Sequence, residues 1–245
     1  MKLLCDFYKS TLGKKIIMAI TGAALVLFVI GHMAGNLKMF AGIDPVTGRY
    51  KMDLYAEFLR SIGAAFMGHE TFLWIARVGL LGCVFFHVLM AIQLSALKKT
   101  ARPIGYLAQD YRSSTLASRY MGVGGTIILF FIVFHILHFT TGDLHSNGFV
   151  HGLVYSNVWL GFQIPWVTAF YVIAMAALCS HLFHGAWSMF QTLGIDSPRL
   201  NPILRNSAKA IAIIVFVGMT SIPLASSFGF LKPPVATGTL VADKN

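Results

Sequence analysis

The sequence predicts an all-α, polytopic membrane protein: one domain, built as a bundle of five transmembrane helices. Three observations carry that expectation. Of the 245 residues, 56% are apolar and only 11% are charged, where soluble domains average about 25% charged. Mean hydropathy is +0.71. Five long intervals hold no Asp, Glu, Lys or Arg: residues 16–37, 78–97, 120–142, 144–195 and 210–231. A helix needs roughly 20 apolar residues to cross about 30 Å of hydrocarbon. Backbone groups in lipid must be satisfied internally, and these runs are far too long for barrel strands, so helices are the expected element.

The first span is expected at about 16–40. It follows Lys14 and Lys15, is long and lacks a small-residue cleavage site, so it reads as a retained span rather than a signal peptide. The next connection, 38–71, contains DLYAEFLRSIG, where Leu54, Phe58 and Ile62 recur four apart. That spacing predicts a short amphipathic helix with those residues on its apolar face, lying at the membrane surface. Spans two and three are expected at about 73–97 and 120–141. Interval 144–195 begins with the polar, glycine-rich LHSNGFVHGLVYSN, read as a loop, which leaves one span at about 165–190. Pro165 suits its first turn. The fifth span is expected at about 210–231, kinked at Pro223, and the tail at about 233–245 reads as disordered. Trp74, Trp159 and Trp166 fall near span ends, where amphipathic rings prefer to sit.

Charge orients the bundle. With the N-terminus inside, the inner segments carry twelve basic residues against three acids, and the outer ones seven against six. That bias places the N-terminus in the cytoplasm and the C-terminus outside. The net charge of +10 therefore does not point to nucleic acid. Topology alone explains it, or else loops 98–119 and 196–209 form a basic dock for a soluble partner. Cys5, Cys83 and Cys179 form no CxxC or CxxCH, which excludes covalent c-type haem attachment.

Nine histidines are many for so apolar a chain. His69, His145 and His151 fall in loops. Six fall in spans: His32, His87, the pair His135 and His138, and the pair His181 and His184. Ionisable groups at membrane depth are costly and mark function by default. Interhelical hydrogen bonding explains one such residue more easily than a set spread over four helices. At about 1.5 Å of rise per residue, His32 and His135 lie about 25 and 24 Å from the basic boundary. By the same rise His87 lies at about 16 Å, His184 at about 18 Å and His181 at about 22 Å. The pattern is two layers, each fed by two helices. Facing imidazoles at one depth suit the two faces of a b-type haem. A zinc site would want three or four clustered ligands. A proton relay wants carboxylates, and no span contains one. Gly22, Gly31, Gly79, Gly82, Gly122, Gly124, Gly125 and Gly185 would leave room for a macrocycle or for close helix packing.

VIGHMAGN around His32, VFFHVLMAIQL around His87, GTIILFFIVFH ending at His135 and HLFHGAWSMFQTLGI starting at His181 together resemble the di-haem cytochrome b membrane-anchor subunit of succinate dehydrogenase and fumarate reductase. The likeness runs from Lys14 through the fifth span and lies in the order and spacing of motifs that are individually weak. It implies two non-covalent haems b and a flavoprotein and an iron–sulfur subunit on the cytoplasmic face. It also implies electron exchange with a quinone, typically menaquinone, and leaves open a higher oligomer of the whole complex. Carried over residue by residue, the outer haem iron would be held by His32 and His135, and the inner one by His87 and His181. The family glycine ten residues before the third-span ligand matches Gly125 and His135. A ligand followed by two spaced glycines matches His181, Gly185 and Gly194. His138 and His184 would then contact a propionate, quinone or water, and Arg77 and Arg119 would pair with propionates. Quinone chemistry in the family uses an acid near the outer side, for which Glu57 and Glu70 are the candidates. Some members carry a glutamate just before the fourth-span ligand; Leu178, Cys179 and Ser180 stand there instead. The competing readings are the cytochrome b subunit of a hydrogenase or formate dehydrogenase, and a proton-coupled transporter.

Overall fold

The computed structural model describes residues 2–101, 120–146 and 148–234. Arg119, most of the 98–119 loop and nearly all of the 233–245 tail lie outside them. Among the described residues every regular element is helical. Five helices are long and apolar enough to cross a membrane: Thr11–Ala41, Thr71–Ala101, Met121–Thr141, Pro165–Thr192 and Leu200–Ser227. The chain is thus a multi-pass membrane protein, and these are the first to fifth spans below. Their ends form a basic end, carrying Lys15, Lys98 and Lys209, and a loop end, carrying residues 42–70, 142–164 and 228–234.

The first span starts cleanly because Ser10 caps it, its hydroxyl accepting from the Gly13 amide at 2.9 Å. The short helix Lys2–Lys9 folds back onto this start. Lys14 is buried here and donates to the Tyr8 and Lys9 carbonyls at 2.7 and 3.2 Å, satisfying carbonyls that the short helix leaves open. Gly13 is required at this corner, since a Cβ would run into the Phe7 carbonyl.

The first span packs against the second, fourth and fifth, and the fourth packs against the third and fifth. The core follows those contacts. Phe131, Tyr171, Ala174, Met175, Ile222 and Ala225 form its loop-end part, and Met33, Leu182, Ala212 and Val215 a second cluster. The second span is peripheral and largely exposed along its apolar stretch. No extensive backbone packing joins the first span to the third, the second to the third, or the second to the fourth.

Three elements hold something the sequence did not predict. The fifth span begins ten residues early, at Leu200, because Pro202 is tolerated in a first turn and the polar Asn201, Arg205 and Lys209 do not interrupt a helix that extends past the hydrocarbon. It ends at Ser227, before the expected 231, and runs continuously through Pro223. Segment 144–164 is not all loop: Val154–Gly161 is helical. The helix Lys51–Ser61 forms, but Met52 and Asp53 are its buried residues, while Phe58 is 59% exposed. The face that packs on protein is thus a different one from the Leu54, Phe58 and Ile62 face, and the neighbouring 154–161 helix holds it by a polar anchor.

That anchor clasps the loop end. The Asp53 carboxylate accepts from the Tyr155 amide at 2.9 Å, at the open N-terminus of the 154–161 helix. The Tyr50 and Tyr155 rings stack at 3.7 Å. The Tyr155 hydroxyl donates to the Lys232 carbonyl at 2.9 Å, and Trp159 Nε1 to the Leu231 carbonyl at 3.2 Å.

Burial holds the Asp53 carboxyl above the usual carboxylate range, although backbone amides of Tyr155 and Val154 pull it down. Its folded pKa exceeds its unfolded one. The stability tied to it is therefore complete below the unfolded pKa of about 3.9 and is lost as pH rises through the folded value. Asp53→Asn keeps an acceptor oxygen and removes the titration. As pH rises above the unfolded value of about 3.9, the melting temperature of the wild type in detergent is expected to fall relative to that of Asp53→Asn. Parallel pH profiles would contradict this account.

Candidate functional site: two facing pairs of histidines

The spans that do not pack backbone to backbone meet through imidazoles. His32 of the first span faces His135 of the third, ring centroids 5.8 Å apart and planes at 87°. His87 of the second faces His181 of the fourth at 6.2 Å and 62°. All four are half-buried, and no hydrogen bond is made between the rings of either pair.

The pairs sit at two levels. A Cβ at Gly22 would lie 3.2 Å from the His87 ring, and one at Gly125 would lie 3.6 Å from the His181 ring. His32 is ten residues beyond Gly22, and His135 ten beyond Gly125. Ten residues of helix rise about 15 Å, so the His32–His135 level lies about 15 Å nearer the loop end. The first and third spans thus share one design. A glycine makes room for a ring from the following span, and ten residues on a histidine faces its counterpart.

Helices and local packing aim each ring. Phe28, one turn before His32, stacks on it at 5.2 Å, and Phe131 stacks on His135 at 5.6 Å. His87 Nδ1 lies 3.1 Å from the Met18 carbonyl, which can only accept, so this nitrogen carries the proton and Nε2 holds the lone pair. Thr21 Oγ1 lies 3.4 Å from the same Nδ1. His135 Nδ1 lies 3.2 Å from the Tyr171 hydroxyl. His181 Nδ1 is buried without a partner, a polar atom that the polypeptide leaves over for something else.

His138 is placed quite differently. It is 1% exposed, lies in a π-helical turn, Ile136–Thr141, that ends the third span, and stacks on His145 at 5.1 Å. Its Nδ1 is 3.1 Å from the same Tyr171 hydroxyl. The third-span histidine that faces His32 is therefore His135, and His138 is walled into protein. In the fourth span the rise arithmetic favoured His184 at the level of His87, but His181 is the residue opposite. The span runs on to Thr192, so counting back from Asp196 misjudged the depth.

The acidic candidates are engaged at the surface. Glu57 pairs with Arg49 at 2.6 Å and Glu70 with Arg60 at 3.3 Å. Asp53 is the buried acid of that connection, and the sequence reading passed over it. Arg77 lies over the Trp74 ring at 4.9 Å. Gly31, Gly79, Gly82, Gly122, Gly124 and Gly185 have open space where a Cβ would stand. A cavity of about 240 Å³ opens beside His181, lined also by Gly124, Ile127 and Ala177.

Two imidazoles on opposite sides of one metal, each nitrogen about 2.0–2.1 Å away, put their centroids about 6 Å apart. Both pairs fit that separation. Among the described residues no cluster of three or more His, Cys, Asp or Glu side chains is placed to hold a bare metal ion. A haem asks the protein for only two axial donors, one on each face. The residues present fit such a group.

No family model, curated protein or solved structure matches this chain.

The glycine cradles make unequal demands. Gly22→Val forces the His87 ring to move and is expected to cost about 1–3 kcal/mol of stability by overpacking. Gly82→Ala enters open space and should stay within about 0.5 kcal/mol. Denaturation of the two variants in detergent checks this, and equal losses would contradict the packing assigned to Gly22.

Proposed function

We propose that this chain is the membrane-anchor cytochrome b subunit of a succinate:quinone oxidoreductase. In this reading His32 and His135 hold one haem b and His87 and His181 the other. The observation that carries it is the pairing itself: two facing imidazole couples at haem separation, at two depths, each contributed by two different helices. When bound, such haems relay single electrons across the bilayer, between an iron–sulfur subunit and a quinone.

The work of this chain is to bind, orient and insulate. Met18 O fixes the His87 tautomer so that Nε2 keeps its lone pair. Gly22 and Gly125 leave room for the rings of the lower pair. Phe28 and Phe131 hold the upper rings in place. Apolar walls around each couple set the dielectric that tunes the potential of the group it holds. Succinate itself is oxidised elsewhere, on a flavoprotein. Each succinate yields two electrons and two protons, and each quinone takes up two of each to become a quinol.

The basic end is the proposed cytoplasmic face. Exposed Lys15, Lys98, Lys99, Arg199, Arg205 and Lys209 make a cationic rim suited to docking the iron–sulfur and flavoprotein subunits, with the N-terminus inside and the C-terminus outside a bacterial-type inner membrane. The quinone, menaquinone in this reading, is placed at the loop end, nearer His32 and His135. Glu57 and Glu70 are less suited to serve it than expected, since each is held by an arginine at the surface.

Haem extraction and quantitation test this directly. Purified protein is expected to hold two haems b per chain. His87→Ala and His181→Ala should each remove one haem, the same one. His32→Ala and His135→Ala should remove the other, and His138→Ala should keep both. Colourless protein, or loss of a haem from His138→Ala with retention in His135→Ala, would overturn the assignment.

A further inference from the structure

The Tyr171 hydroxyl lies within hydrogen-bond distance of two imidazole nitrogens at once, His135 Nδ1 at 3.2 Å and His138 Nδ1 at 3.1 Å. Tyr171 is 6% exposed and comes from the fourth span, so one buried phenol spans both histidines of the third. We propose that Tyr171 is a positioning residue that fixes the tautomers of both and thereby makes His135, rather than His138, the donor facing His32. The inference rests on the reading that His32 and His135 hold a haem.

Proton counting carries the argument. A phenol has one O–H to donate, and its oxygen can also accept. If it donates to one Nδ1, the other Nδ1 must bring its own proton. The Tyr171 hydroxyl has no third partner among the described residues, so its proton goes to one of the two rings, and two arrangements then make both bonds. In one, His135 Nδ1–H donates to the phenol oxygen, and the phenol O–H donates to His138 Nδ1. His135 is then left with its lone pair on Nε2, and His138 with a proton on Nε2. In the other, every proton shifts: His135 carries its proton on Nε2 and has no lone pair there. Only the first leaves His135 able to ligate on the side away from Tyr171. It also makes His138 Nε2 a donor, which a metal cannot use. One hydroxyl therefore sorts two chemically identical side chains, three residues apart, into a ligand and a bystander.

The arrangement has a measurable consequence. A ligand imidazole that donates from Nδ1 is more electron-rich and favours the oxidised metal, and the His138 acceptor polarises the phenol further in the same direction. Removing the hydroxyl should favour the reduced metal at this level alone.

The test is a redox titration of the haem visible bands in the intact, purified complex, wild type against Tyr171→Phe. The haem lost from His32→Ala identifies the loop-end signal. The expected result is two haems retained, the loop-end midpoint potential shifted upward, and the other unchanged. Retention of both haems with neither midpoint moved would overturn the inference. So would an equal shift of both, which marks a general loosening. Should Tyr171→Phe shed the loop-end haem, 3,5-difluorotyrosine at 171 keeps the shape and weakens the oxygen as an acceptor. The same upward shift is then expected, and an unmoved midpoint overturns the inference. Colourless wild-type protein would instead refute the haem reading on which the inference stands, so the two failures are told apart.

Discussion

The structure is organised around two meetings of imidazoles. Helices that carry facing imidazoles do not pack on each other, yet their rings meet at centroid separations of 5.8 and 6.2 Å. Holding rings together at two levels without helix packing between their own spans takes a frame that does not depend on contacts across them. The first, fourth and fifth spans supply that frame, with Met33, Leu182, Ala212 and Val215 at its centre. Gly218 is part of it, because any side chain there would meet the Met33 sulfur. The second and third spans hang from this frame, each bringing a histidine to a partner that the frame presents.

The loop end closes the frame. Asp53, Tyr50, Tyr155 and Trp159 tie the first connection, the 154–161 helix and the end of the fifth span together. This matters for the upper pair because the same 154–161 helix packs down on the end of the third span. A Cβ at Gly161 would press on Phe139 and His138. The position of His135 is thus set from two sides, by Phe131 and Tyr171 within the bundle and by the clasp beyond its end.

The spans were legible because lipid imposes a simple rule: long charge-free runs must be helices. The shared level of His32 and His135, apart from that of His87, was legible for the same reason, since helical rise is regular, but counting from the basic residues puts the levels about 9 Å apart where the glycine contacts give about 15 Å. What the sequence left obscure depended on tertiary contact. The fifth span starts at Leu200 because a helix in water tolerates the polar residues that mark a boundary in lipid. The burial of Asp53 was not legible, because it packs against a helix amide end that no local pattern reveals. The burial of His138 against His145 and Tyr171, while His135 faces His32, is a matter of tertiary packing, although the Gly125 register already favoured His135. Half of one signal was passed over: the ten-residue spacing of Gly125 and His135 recurs in Gly22 and His32 on the first span, and that repeat encodes the two levels.

Ring orientation offers the most direct check on whether each couple grips one iron. The planes of the two pairs cross at 87° and 62°, far from parallel. Low-temperature electron paramagnetic resonance of the oxidised protein should therefore show two low-spin ferric signals of the strongly anisotropic kind, with a large maximal g value. That kind arises when axial imidazoles are crossed. A rhombic signal of parallel imidazoles, a high-spin ferric signal with an open axial position, or no iron signal at all would contradict the account.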